Sequence, residues 1–159
     1  MSSTPEQPLL FPSLEWFRAL QQLANADPEL RRLGSTDTTL AIKVGAEIFL
    51  VTFQAFRCET IVPGSDDDLL GVDFVLDMEV AQWQEMIANI KTHGSADRQH
   101  TLNTLDLRTA GGIANNATGD QYRADLFFRY NQTLQHFFVL LFSQYAAEIS
   151  LLAAGVRRA

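Results

Sequence analysis

The sequence contains a single cysteine, Cys58, among its 159 residues. One thiol excludes an internal disulfide framework and any zinc site built from clustered cysteines. No apolar run approaches the roughly 18 residues that a membrane-spanning helix needs. Residues 1–8 also lack the basic-then-apolar order of a secretory signal peptide. The sequence therefore predicts a soluble, cytoplasmic protein without a transmembrane segment.

Basic residues are scarce. Lysine and arginine number 12 against 19 aspartates and glutamates, which gives a net charge of −7 and a pI near 4.8. Nucleic-acid binding needs a basic surface, and so does tight electrostatic docking on an anionic membrane. We expect neither. With 47% apolar and 19% charged residues, the chain has the composition of one globular domain.

Motifs that mark cofactor or metal sites are missing. Gly111-Gly112 is a bare pair rather than a phosphate-binding loop. Residues 66–68 are three consecutive aspartates, which fail the calcium-loop spacing and predict a solvated loop. The histidines lack metal-ligand spacing: His93 and His100 lie in a polar segment and are expected to be solvated. His136 is expected to be structural, with a ligand head group as its alternative partner. No metal and no cofactor is predicted.

Candidate catalytic residues are few. General acid–base catalysis needs a carboxylate held in an apolar pocket, and Asp73, Asp77 and Asp125 are the candidates. Asp77 is more simply the N-cap of the helix that follows, and Asp125 a charge near a helix N-terminus. Cys58 lies in an alternating strand, which favours a small buried side chain over a nucleophile. We predict no catalytic residue.

Local patterns predict the secondary structure of the first two thirds of the chain. Ser13 should cap a first helix. Asp27 and Pro28 should begin a short second helix, and Gly34 can end it. Alternating apolar residues predict strands, with a glycine-first hairpin turn at Gly45-Ala46. The predicted strands cover residues 40–44, 48–53, 57–62 and 72–77, with a poor fifth strand at 113–118. Between the last two, Val80, Trp83, Ile87 and Ile90 form the apolar stripe of a helix.

The C-terminal part of the chain is unusually aromatic. Nothing in the sequence breaks a helix from Tyr122 to about Leu152, and seven of the 16 aromatic residues lie between Phe127 and Tyr145. Most of the surface of such a helix has to be covered, either by the protein core or by a bound ligand. Apolar spacing continues through residues 146–152, which predicts a docking segment or homodimer contact in this tail.

The order of these elements resembles the sterol carrier protein type 2 (SCP-2-like) family of lipid- and sterol-binding domains. The resemblance covers roughly residues 11–140. It rests on the residues at 11–16, 25–30, 40–44, 49–53, 73–76 and 112–120. It implies an α+β fold, a five-stranded, mostly antiparallel sheet with helices packed on one face and a long C-terminal helix. We accordingly expect a flexible arm at 1–10, a lipid-binding domain at 11–145 and a helical extension at 146–159.

In that family a hydrophobic tunnel between sheet and helices takes fatty acids, acyl-CoA or sterols. Carried over by position, the resemblance implies ligand-binding residues in the sheet and in three helices. They are Phe49, Phe53, Phe74, Trp83, Met86, Ile87, Leu102, Leu105, Phe127, Tyr130, Leu134, Phe137 and Phe138. The implied function is non-enzymatic binding and transfer of a hydrophobic ligand. Asn115 and Asn116 depart from the family's apolar fifth strand, which would admit a more polar ligand.

Two alternatives compete with this interpretation. An aromatic helix is more often packed core than cavity wall, because protein interiors leave few voids. A small α+β cone-fold enzyme of the ketosteroid-isomerase or epoxide-hydrolase type also has this length, an N-terminal helix and an apolar pocket. Such an enzyme needs a deep carboxylate, for which Asp73 would be the candidate, and it uses more strand after its last helix than this sequence offers.

Overall fold

The computed structural model describes residues 10–142. Helices and strands alternate irregularly along this part of the chain. The helices are α1 (Leu14–Ala26), α2 (Pro28–Arg32), α3 (Val80–His93), α4 (Leu102–Arg108), α5 (Gln121–Ala124), α6 (Leu126–Arg129) and α7 (Asn131–Val139). The strands are β1 (Thr38–Val44), β2 (Glu47–Gln54), β3 (Arg57–Gly64), β4 (Phe74–Met78) and β5 (Ala114–Asn115). Short 3-10 helices cover Asp66–Gly71 and Leu140–Phe142.

The five strands form one sheet in the order β3-β2-β1-β4-β5. Strand β1 pairs antiparallel with β2 and parallel with β4, while the β2–β3 and β4–β5 pairs are antiparallel. The first hairpin turns at Gly45, whose φ of 62° suits glycine. The predicted α+β class and the mostly antiparallel sheet are confirmed.

Alternate residues of the strands divide the sheet into two unequal faces. Leu40, Ile42, Phe74 and Leu76 belong to the large core that the helices cover. Their neighbours point the other way and form a small cluster of Ala41, Ile48, Val72 and Val75. The period-two pattern of the strands thus predicts correctly which side faces the helices.

Helix α1 begins as predicted and closes one edge of the sheet. Ser13 Oγ accepts a hydrogen bond from Trp16 N at 3.1 Å, as an N-cap does. At the other end of the helix, Asn25 bonds both backbone groups of Cys58: its Oδ1 accepts from Cys58 N at 2.8 Å and its Nδ2 donates to Cys58 O at 3.0 Å. The outermost strand, β3, is therefore fixed to α1 by side-chain amides.

Helix α3 is capped two residues later in the chain than expected. Asp77 lies in β4, and the N-cap is Glu79, which forms a capping box with Gln82. The prediction that Asp77 caps this helix is wrong because β4 extends to Met78 in register with β1. Trp83 Nε1 donates to Lys43 O at 2.8 Å, which ties the helix to β1.

The C-terminal helix is present but is not continuous within the described residues. It is interrupted at Asp125 and again at Tyr130, whose φ and ψ are −105° and 12°. The two interruptions let α5 bond the sheet while α6 and α7 turn different faces toward the core. Tertiary contacts thus interrupt the helix here, although the sequence contains no residue that breaks a helix. The predicted helical extension at 146–159, with its homodimer contact at 146–152, lies outside the described residues.

The fifth strand is shorter than predicted, with two residues in place of 113–118. Asn116 ends it because its amide bonds across the end of the sheet. Its Nδ2 donates to Asp73 O at 2.8 Å, and its Oδ1 accepts from Thr118 N at 2.9 Å. Within the described residues no helix is long and apolar enough to cross a membrane.

Candidate functional site

Twelve of the thirteen predicted ligand-binding residues converge on the core between the sheet and the helices. Eleven are buried members of one apolar cluster: Phe49, Phe53, Phe74, Trp83, Met86, Ile87, Leu102, Phe127, Leu134, Phe137 and Phe138. Leu105 is partly buried against that cluster. Tyr130 is only half-buried and lies at the break between α6 and α7. The sequence therefore brings together all but one of these side chains.

Aromatic rings form a connected chain through this core. Phe137 contacts Phe53 with ring centroids 5.4 Å apart and Phe138 at 5.6 Å. Phe138 then contacts Trp83 at 5.5 Å and Trp16 at 6.5 Å. These separations are those of favourable aromatic pairs. The rings pack against one another between α7 and the sheet.

Helix α1 and the segment before it contribute further rings that the predicted site omits. Phe11 contacts Trp16 at 4.8 Å and Trp83 at 6.3 Å, and Phe17 contacts Phe49 at 4.5 Å. The sequence shows the apolar face of α1 in the helical spacing of Phe17, Leu20 and Ala24. The sequence does not show that this face packs against the sheet.

A groove of about 360 Å³ opens at one end of this aromatic core. Phe11, Trp16 and Ile87 contribute to its lining, together with the 3-10 residues 141–142. Lys91 also lines it, and the Lys91 ammonium makes no ion pair with any residue between 10 and 142. An apolar groove with a lysine in its lining suits a ligand with an apolar chain and an anionic end. Among the predicted site residues, Ile87 lies at this groove.

The opposite side of α7 carries a second groove, of about 500 Å³, between α2 and the start of α4. We call it the polar groove. Asn131, Gln135 and His136 contribute to its lining. His136 Nε2 and Asp27 Oδ2 are 2.5 Å apart, and Asp27 Oδ1 accepts from Glu29 N as the N-cap of α2. The expectation that His136 is structural agrees with this pairing.

The polar segment after α3, residues 94–101, contains more side-chain hydrogen bonds than expected. His100 Nδ1 lies 2.6 Å from Asp97 Oδ1, and Nε2 lies 3.0 Å from Glu85 Oε1. The hydrogen bond to Asp97, followed by that to Glu85, raises the pKa of His100 above 6.5. The bond from His100 is also the main reason that the pKa of Asp97 is lowered to about 2. The prediction of a solvated His100 is wrong because two carboxylates flank the ring.

Asp73, the carboxylate candidate for an enzyme, is fully engaged in structural bonds. Its Oδ2 accepts from Thr38 Oγ1 at 2.8 Å and from Thr39 N at 3.2 Å. Its Oδ1 accepts from Arg123 Nε at 3.1 Å. Asp73 therefore links α5 to the sheet and lies outside an apolar pocket, so the geometry gives no support to a general acid or base here.

The remaining candidate groups are also structural in their contacts. Cys58 is buried, and burial raises the pKa of its thiol to about 12, which leaves it protonated and unreactive. Asp125 Oδ1 accepts from Gln121 Nε2 at 2.7 Å. Within residues 10–142, no group of three or more histidine, cysteine, aspartate or glutamate side chains could hold a metal ion. The amide of Asn116 is occupied at the end of the sheet.

Element order, sheet topology and an apolar core under α7 define the α+β architecture of sterol carrier domains. A comparison with solved structures agrees. The chain is similar to a solved structure described as "Crystal structure of sterol carrier protein 2". The TM-score is 0.53 and the sequence identity is 15%. The match covers 79% of this chain and 92% of that one. No family model and no curated protein matches the sequence. The chain therefore has a sterol-carrier-protein-2-like fold.

Proposed function

We propose that the protein binds and transfers a hydrophobic ligand with an acyl chain, without catalysing a reaction. The observation that carries this proposal is the large apolar cluster in which α7 meets the sheet of a sterol-carrier-like fold. Eleven of the thirteen side chains expected at such a site belong to it. Each buried methylene of an acyl chain contributes about 0.8 kcal/mol, so affinity does not depend on many polar contacts.

The groove at Phe11 and Ile87 supports a route for the ligand into this core. Its lining includes Trp16, which also contacts Phe138 inside the aromatic chain. Met86 is fully buried one residue before Ile87, and an unbranched thioether adapts its shape easily. We infer that the acyl chain enters along this groove and displaces Met86 and neighbouring rings.

Lys91 supports a carboxylate as the ligand's polar end. Lys91 lines the same groove as the apolar residues, so a fatty acid can place its chain inward and its carboxylate against this side chain. A partly exposed ion pair of this kind contributes about 0.2–1 kcal/mol. The proposed ligand is therefore a fatty acid, bound mainly through its chain.

Native mass spectrometry and ligand displacement test this function. Protein purified from expressing cells should carry co-purified lipid, and palmitate should displace a fluorescent fatty acid from the delipidated protein. Ile87→Trp should fill the groove and weaken displacement, whereas Val62→Trp, on the exposed surface of β3, should not. A lipid-free mass spectrum together with no displacement by palmitate would overturn the proposal.

The two lysines provide a test of the carboxylate position. Lys91→Gln should weaken palmitate binding about two- to fivefold, the range of an exposed ion pair, and leave hexadecanol binding unchanged. Lys43→Gln is the matched control, since Lys43 lies on β1 on the side of the sheet that faces away from the main core. Equal losses for palmitate and hexadecanol would contradict a carboxylate at Lys91.

A further inference from the structure

The ring of Phe11 borders both the apolar groove of about 360 Å³ and the aromatic core. Phe11 lines this groove together with Trp16 and Ile87. It also contacts the fully buried Trp83, with ring centroids 6.3 Å apart. Trp83 precedes Ile87 by four residues on α3, so the two side chains lie on the same side of that helix. Phe11 thus lies where the groove meets the buried rings.

The backbone around Phe11 is not fixed by hydrogen bonds to the described chain. Residues 10–12 precede Ser13, the N-cap of α1, and belong to no helix or strand. Their backbone N–H and C=O groups form no hydrogen bond with any residue between 10 and 142. Segments with so few backbone bonds open at a low cost in free energy. The position of Phe11 therefore depends on the packing of its ring.

Phe11 is less buried than the rings that it contacts. Its side chain is partly buried, whereas its three aromatic neighbours are at most 2% exposed. These neighbours are Trp16, at a centroid distance of 4.8 Å, Phe17, at 6.0 Å, and Trp83. The indole of Trp83 is also held by its hydrogen bond to Lys43 O. An outward turn of Phe11 thus moves one partly exposed ring and leaves three buried rings in place.

The other residues of the groove are anchored in helices. Trp16 belongs to α1, Ile87 and Lys91 belong to α3, and residues 141–142 belong to the last 3-10 helix. Among the described residues that line the groove, Phe11 alone lies outside a helix. Its side chain is therefore the one in the groove that can move without disturbing a hydrogen-bonded element.

We propose that the ring of Phe11 is a gate between the groove and the aromatic core, and that a bound acyl chain takes its place against Trp16 and Trp83. In the closed state the ring contacts both indoles. In the open state it turns toward solvent, and methylenes of the ligand make the apolar contacts that the ring gives up. The ligand favours the open state because the closed ring occupies its place. The gate rests on the proposed function, since it assigns the route of the acyl chain to one residue of the same groove.

Fluorine nuclear magnetic resonance observes this ring directly. 4-Fluorophenylalanine introduced at position 11 alone should give a signal displaced by the ring currents of Trp16 and Trp83 in the free protein. Saturating palmitate should move this signal toward that of the free amino acid, because the ring has left both indoles. The same label at Phe128, which is 53% exposed on α6, is the control and should keep its signal when palmitate is added.

Association kinetics test whether the ring limits entry of the ligand. In stopped-flow mixing with dansylundecanoate, Phe11→Ala should bind at least about fivefold faster than the parent protein, because association is slow when a closed site has to open first. Leu10→Ala is the matched control, since Leu10 is the preceding residue and is 73% exposed, and its rate should stay within about twofold of the parent. If circular dichroism shows that Phe11→Ala does not fold, Phe11→Leu should still raise the rate about twofold or more.

Two results would overturn the gate while leaving the acyl-chain function intact. The first is palmitate that displaces dansylundecanoate from the labelled protein while the fluorine signal at position 11 stays where it was. The second is dansylundecanoate that binds the folded Phe11 variants no faster than the parent protein. Absence of any displacement by palmitate is a different result, because it contradicts the proposed function itself and the gate with it.

Discussion

The inner and outer faces of α7 are built from different interactions. On the inner face Leu134, Phe137 and Phe138 are at most 1% exposed and pack against rings from the sheet and α3. On the outer face, Gln135 and His136 are partly exposed and make single, directed bonds to α4 and α2. One nine-residue helix is thus held by close packing on one side and by individual polar contacts on the other. Close packing contributes the larger free energy.

The largest effect should come from the inner face. Phe137→Ala should lower the free energy of unfolding by about 3–5 kcal/mol, through lost apolar burial and the cavity left behind. Chemical denaturation followed by circular dichroism measures this. Phe128→Ala is the matched control, because Phe128 is 53% exposed on α6, and it should change stability by under about 1 kcal/mol.

The same Phe137 variant also sharpens the proposed function. If an acyl chain lies against this ring, the thermal stabilisation produced by saturating palmitate should be smaller in Phe137→Ala than in the parent protein. An unchanged ligand-induced shift, together with the full loss of stability, would place Phe137 in a purely structural core.

The contact between α7 and α2 should rank second. Asp27→Asn keeps an N-cap oxygen but weakens the charge-assisted bond to His136, and should cost about 1–3 kcal/mol. Asp120→Asn is the control, since Asp120 also caps a helix, α5, but does so at an exposed site. Its effect should stay within about 0.5 kcal/mol. Equal losses in the two variants would show that capping alone, and not His136, explains the role of Asp27.

The two amides of the polar groove should respond in opposite ways to the same substitution. Gln135→Leu removes the acceptor for Leu102 N and should cost about 1 kcal/mol or more. Asn131→Leu removes a buried donor that bonds no residue in the described part of the chain, so stability should be unchanged or slightly higher. Denaturation midpoints of the two variants give the comparison directly. A loss for Asn131→Leu as large as that for Gln135→Leu would mean that Asn131 has a bond in solution.

The smallest expected effect is a dependence on pH near α4. The pKa of His100 is raised in the folded protein, so its contribution to stability is complete below pH 6.5 and is lost as the pH rises through the raised value. His100→Gln should therefore flatten the stability profile above about pH 6.5. His93→Gln is the control, because His93 makes no hydrogen bond to the described residues, and it should leave that slope unchanged. The free energy of unfolding of both variants, measured at a series of pH values, tests this difference in slope.

The parts of the fold that depend on neighbouring residues could be predicted from the sequence. Ser13, Pro28 and Gly45 act within a few residues of themselves, and their cap, first turn and hairpin are all present. The alternation of the strands also identifies the buried side of the sheet correctly. These signals are local, so no knowledge of the rest of the chain is needed.

The parts that depend on distant residues could not be predicted. The C-terminal helix is divided at Asp125 and at Tyr130. In the segments before these breaks, Arg123 bonds Asp73, 50 residues away in the chain, and Phe127 contacts Phe74 with ring centroids 6.1 Å apart. Helical spacing cannot anticipate either contact. For the same reason the sequence does not show that the buried Nδ2 of Asn131 finds no acceptor among residues 10–142, since that depends on how the other helices pack against α7.

The amide of Asn25 has a consequence for how the protein behaves at high concentration. Strand β3 is the outermost strand of the sheet, and such strands expose backbone groups to which another chain can add. Asn25 bonds both the N–H and the C=O of Cys58, and Gln21 donates to the carbonyls of residues 58 and 59. Two side chains of α1 thus take the positions that a strand from a neighbouring molecule would use, and this stretch of the edge is protected against sheet-to-sheet aggregation.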